Sequence, residues 1–72
     1  MIVFQTGEPV TITCEGRTIP GFVHLASPNG KSLMLMFDAM LDGHVGMMPV
    51  MFEDDGVFRA LMTGVVVELA RR

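Results

Sequence analysis

The chain has 72 residues and a net charge of −3, with half of its residues apolar and 18% charged. This bounds it to one domain, 1–72, near the lower size limit of chains that fold alone. The basic residues Arg17, Lys31, Arg59, Arg71 and Arg72 are dispersed apart from the last pair, so no broad basic surface is expected to neutralise nucleic-acid phosphates.

Cys14 is the single cysteine, which rules out a disulfide within the chain. No run approaches the ~20 apolar residues of a membrane-spanning helix, and no membrane contact is expected. Met1–Phe4 is followed at once by Gln5, Thr6, Gly7, Glu8 and Pro9, so a secretory leader is not expected either. A lone cysteine fits a reducing interior, and the expected location is cytoplasmic.

Met1–Gln5 is a short apolar run ended by Thr6-Gly7-Glu8-Pro9. Val10–Cys14 alternates with period two, placing Val10, Ile12 and Cys14 on one face of a half-buried strand. Glu15-Gly16 predicts a turn and Arg17–Ala26 a longer returning strand. Pro20-Gly21 inside it predicts a bend, bulge or edge, because proline cannot donate to a ladder and glycine weakens one.

Asn29-Gly30 then predicts a tight hairpin, both residues tolerating positive φ, with Ser32–Phe37 pairing back on the preceding strand. Ser32–Leu41 also reads as a helix, with Ser32 as N-cap and Leu33, Phe37, Met40 and Leu41 on one face. The upstream turn favours the strand. Asp38–Gly46 is expected as a loop or single helical turn. Met47–Phe52 is the next strand, Glu53-Asp54-Asp55-Gly56 a turn and Val57–Met62 a further strand. Thr63-Gly64 leads into Val65–Leu69, where three consecutive valines favour a strand.

Five to seven short strands on so short a chain cover their edges by closing. The expected fold is all-β, a small closed or partly open antiparallel barrel of SH3-like, Sm-like or OB-like form. Its expected core is Val10, Ile12, Val23, Leu25, Leu33, Leu35, Phe37, Phe52, Phe58, Val65, Val67 and Leu69.

Six of the eight methionines lie between Met34 and Met51. The strands there are apolar on both faces, and a barrel wall has only one inner face. Met40, Leu41 and Val45 of the expected loop could cover part of the second face, but nine residues are too few to shield two strands. Methionine suits surfaces that mould to a partner. Met34, Met36, Met47, Met48 and Met51 are therefore the expected interface, with a homodimer or small homo-oligomer as the expected assembly.

Chemistry is sparse. His24, His44 and Cys14 lack the paired spacing of a zinc site. The methionine clusters resemble soft Cu(I) ligands, but packing explains them more simply. Cys14 shares the apolar face of Val10 and Ile12, which suits a small buried hydrophobe better than a nucleophile. Glu53-Asp54-Asp55-Gly56 lacks calcium-loop spacing, and no glycine pattern precedes a helix to cradle phosphate. Neither catalysis nor a cofactor is expected.

Gly16-Arg17-Thr18-Ile19-Pro20-Gly21-Phe22-Val23 resembles the second strand and its turn in Sm-like proteins. Asn29, Leu33 and Leu35 fall near that family's aspartate, asparagine and apolar pattern. Thr63-Gly64-Val65-Val66-Val67 is similar to its second motif, with Thr63 where arginine usually stands. The resemblance covers about a third of the chain and implies a small bent barrel able to form rings. Ser27-Pro28 and Thr63 occupy positions that would carry RNA contacts and lack the family's residues for them.

The expected function is a non-enzymatic, self-associating interaction module. The alternatives are an Sm-like RNA-binding barrel, disfavoured by the net charge of −3, and a small-molecule-sensing barrel. RNA binding on such folds uses basic grooves with stacking aromatics. A sensor needs a pocket that a small filled barrel rarely leaves.

Overall fold

In a computed structural model describing residues 4–53 and 55–72, six antiparallel strands close into a barrel in sequential order. They are β1 Pro9–Cys14, β2 Arg17–Ala26, β3 Ser32–Leu41, β4 His44–Phe52, β5 Phe58–Ala60 and β6 Val66–Arg71. β6 closes on β1 through pairs from Val10↔Arg71 to Cys14↔Val67. This is an up-and-down meander, distinct from the Greek-key order of an OB fold.

The period-two pattern of β1 sends Val10, Ile12 and Cys14 fully inward. Glu15 and Gly16, at φ 51° and 79°, form the tight turn whose twist matches its flanking strands. β2 then pairs along the whole of β1, from Cys14↔Arg17 to Pro9↔Phe22.

Pro20-Gly21 does not bulge. The Val23 N–H donates to the Glu8 carbonyl at 2.9 Å, so odd residues of β2 face β1 and even ones face β3. The β2–β3 ladder begins only at Gly21↔Phe37. Pro20 therefore lies just outside it, where no N–H is needed. Gly21 serves close packing: a Cβ there would stand 2.6 Å from both Ile12 Cδ1 and the Met36 carbonyl. The register shift falls instead at His24, between Val23↔Leu35 and Leu25↔Met34. One extra residue reverses the side-chain alternation, and Leu25, expected in the core, points to solvent.

The β2–β3 turn also differs from the expected Asn-Gly pair. Gly30 N–H donates to the Ser27 carbonyl at 2.9 Å, which puts Pro28-Asn29 at the centre of the turn. Gly30 follows at φ 73°. Asn29 Oδ1 accepts from the Lys31 N–H and Ser27 Oγ from the Ser32 N–H, closing the loop locally.

Ser32–Leu41 is strand, held by β2 on one side and β4 on the other. The loop expected over Asp38–Gly46 is replaced by a hairpin. Asp42 and Gly43, at φ 50° and 74°, make a second tight turn flanked by Leu41↔His44 and Met40↔Val45. A shift between Met36 and Met40 is taken up beside Gly46, itself at φ 75°. Asp-Gly between apolar runs is a strong hairpin signal, but two aspartates and two glycines in nine residues obscure it.

β5 is shorter than expected, and Leu61–Gly64 loops before β6. The core comprises Val10, Ile12, Cys14, Val23, Leu33, Leu35, Phe37, Leu41, Met48, Val50, Phe58, Ala60 and Val67, with Phe4 buried in the same cluster. Phe52, Val65 and Leu69, expected as core, are partly buried against it. The Phe4 ring meets Phe58 edge-on at 6.1 Å and lies 4.8 Å beneath the Arg71 guanidinium. Phe4 and Gln5 are outside any strand; the remainder of the expected first run, Met1–Val3, falls outside the described residues. No helix among the described residues is long and apolar enough to cross a membrane.

Candidate interaction surface

Alternation along β3 and β4 sorts their apolar residues into two sets. Leu33, Leu35, Phe37, Met48 and Val50 point into the barrel. Met34, Met36, Met47, Pro49 and Met51 therefore line the outer wall. Two rows run across three strands there: Phe22–Met36–Met47 and Leu25–Met34–Pro49. Met51 lies beside them, opposite Ser32 on β3 and Arg59 on β5. Leu61 closes the far side, its N–H donating to the Pro49 carbonyl at 2.9 Å.

Four of the five expected interface methionines are brought together: Met47 and Met51 are exposed, Met34 and Met36 half-buried. Met48 is excluded, because it is 0% exposed and packs in the core. Sequence reasoning missed Phe22, Leu25 and Leu61, which are 41%, 58% and 59% exposed. The alternation Phe22/Val23 was a usable signal for Phe22. For Leu25 no local signal existed, since the bulge at His24 decides its side.

The face is uncharged across both rows. Charges gather at its margin: Asp38 at the β3 register shift, and the Asp55–Arg59 ion pair at 2.7 Å. The Arg59 hydrogen bond lowers the Asp55 carboxyl below its ordinary value. A shallow depression of about 420 Å³ lies within the surface, bordered by Leu25, Met34, Pro49, Met51 and Leu61. Large exposed apolar area ringed by polar residues is the usual form of a protein contact surface.

The edge of β4 is a second potential contact. β4 pairs with β5 only from Val50↔Ala60 to Phe52↔Phe58, leaving its first half without a strand partner on that side among the described residues. Pro49, which has no N–H, and the kink at Gly46 blunt that edge as natural sheets do.

The other candidate groups are dispersed. Cys14 lies in the core, its thiol pushed up first by burial and then by the charges of Asp42 and Glu15. His24 is exposed on the β2 bulge. His44 is half-buried and its Nδ1–H donates to the Asp42 carbonyl at 2.9 Å. The Asp42 carboxylate accepts from the Thr63 hydroxyl, tying the β3–β4 turn to the β5–β6 loop. In the acidic turn, Gly56 N–H donates to the Glu53 carbonyl and Val57 N–H to Asp55; Asp54 is outside the described residues. Among the described residues, no three His, Cys, Asp or Glu side chains group as a metal ion requires. No protein-family model, curated protein or solved structure matches the chain.

Proposed function

We propose that this protein is a non-enzymatic β-barrel module that self-associates by packing the outer face of β2, β3 and β4 against a second copy. The observation that carries this reading is the pair of uncharged rows, Phe22–Met36–Met47 and Leu25–Met34–Pro49, in which Phe22, Leu25 and Met47 are exposed and Met34, Met36 and Pro49 half-buried. Burying each large side chain of such a row stabilises by roughly 1.5–3 kcal/mol.

The absence of charge favours a second copy over a charged partner. A two-fold axis through the centre of the face brings the same rows together, and two-fold dimers are the commonest assembly. Face-on packing is preferred over strand addition because Pro49 and Gly46 blunt the free edge of β4.

Solution mass measured across concentration tests the reading. The unmodified protein is expected to be dimeric at micromolar concentration. Met34→Glu with Met36→Glu is expected to give a folded monomer, since two carboxylates per copy cannot be buried unpaired. A monomeric unmodified protein at high micromolar concentration, or a double variant that stays associated, rejects the interface.

A further inference from the structure

Four thioethers share the outer face of β3 and β4, while Met48 of β4 is sealed inside. We infer that Met34, Met36, Met47 and Met51 are a modification site for peroxide-class oxidants, at which conversion to methionine sulfoxide releases the assembly and leaves the barrel folded. This inference rests on the self-association proposed above.

In the reaction, a thioether sulfur attacks one oxygen of hydrogen peroxide. The O–O bond breaks, an S=O bond forms, and the second oxygen leaves as water. Sulfur loses the two electrons that the peroxide gains, and methionine sulfoxide reductases reverse the change. It proceeds on the dissociated protomer, where the sulfurs are reachable, and mass action draws the dimer apart as oxidised protomers accumulate.

The effect follows from what surrounds the sulfurs. A sulfoxide oxygen is a hydrogen-bond acceptor, and the row Phe22–Met36–Met47 contains no side-chain donor. Buried between two copies, the oxygens on Met36 and Met47 have no partner. Met34 shares its depression with Ser27 and Ser32 and Met51 stands opposite Ser32 and Arg59, so the penalty falls chiefly on Met36 and Met47. On the free barrel it points into water. Met48 supports the fold from within and has no exposed surface, so the oxidant separates association from folding. Met40 and Met62, 58% and 77% exposed at the hairpin end and in the β5–β6 loop, record the oxidant dose.

The experiment treats the protein with hydrogen peroxide, maps sulfoxides by peptide mass spectrometry, and follows solution mass and far-UV circular dichroism. Oxidation of the four sites is expected to raise the dimer dissociation constant at least about tenfold with the β-spectrum intact. A variant with leucine at all four sites is expected to stay associated under the same dose. Methionine sulfoxide reductases acting on the oxidised wild type are expected to restore the dimer, a readout independent of how well that variant folds. Persistent dimer with all four sulfoxides mapped, or equal dissociation of the leucine variant, overturns the inference while leaving the self-association intact. An untreated protein that is monomeric at high micromolar concentration overturns both.

Discussion

Gly21 is where a single atom matters most. Its missing Cβ admits Ile12 Cδ1 and the Met36 carbonyl, each at 2.6 Å from that position. One neighbour is backbone and cannot swing away. Gly21→Ala is expected to cost about 1–3 kcal/mol by overpacking, read as a lower urea midpoint. Cys14 offers a pH test. Its thiol is raised by burial in the folded barrel, so folding holds the proton that the unfolded chain releases above about pH 8.5. Its contribution is complete below that value and is lost as pH rises toward the folded-state pKa. Lys31 is the single lysine and tyrosine is absent, so few other side chains titrate there. Stability is expected to fall between pH 8 and about pH 10, with a clearly smaller decline in Cys14→Ala when each protein is normalised to its own value at pH 7.

Two short irregularities set which faces the elements present. The extra residue at His24 puts Leu25 outside while Leu35, opposite Val23, stays in the core. Leu35→Ala is expected to cost about 2–5 kcal/mol as a core cavity. Leu25→Ser is expected to leave the isolated barrel within about 0.5 kcal/mol of wild type, measured in the dissociated Met34→Glu, Met36→Glu background. The β3–β4 turn is the second irregularity. Asp42 holds φ 50° and accepts from Thr63 of the β5–β6 loop. Asp42→Ala loses both advantages and is expected to cost about 1–3 kcal/mol. Asp42→Asn, which tolerates the same φ and still offers an acceptor, should recover most of it.

At the scale of the whole molecule, a barrel of this size buries only about 60% of its unfolded chain's surface. A small core rarely supplies more than about 3–5 kcal/mol by itself. The proposed packing of the outer face against a second copy would add burial without lengthening the chain. Thermal stability is therefore expected to rise with protein concentration, because association draws on the folded protomer alone. The Met34→Glu, Met36→Glu protein is expected to unfold at a lower temperature that does not change with concentration. Concentration-independent unfolding of the wild type would place the stabilising contacts within the barrel itself.

The period-two pattern of Val10–Cys14, the Glu15-Gly16 turn and the valine run at Val65–Val67 point to an all-β chain forming a small barrel, while Ser32–Leu41 also reads as a helix and the pattern leaves full closure open. Alternation is local, and each strand carries it whole. The surplus of methionine was also visible, and with it the expectation of a second apolar face. Which methionines occupy that face depended on pairing. Met47 and Met48 are adjacent and chemically identical, and only the register Leu35↔Met48 and Met36↔Met47 sends one inward and the other out. Leu25 crosses to the surface because β2 holds one more residue than β3 requires, and Leu41 enters the core because the hairpin continues through the expected loop. Alternation marks two faces without saying which is inner; bulges and register, set by strands distant in sequence, make that choice.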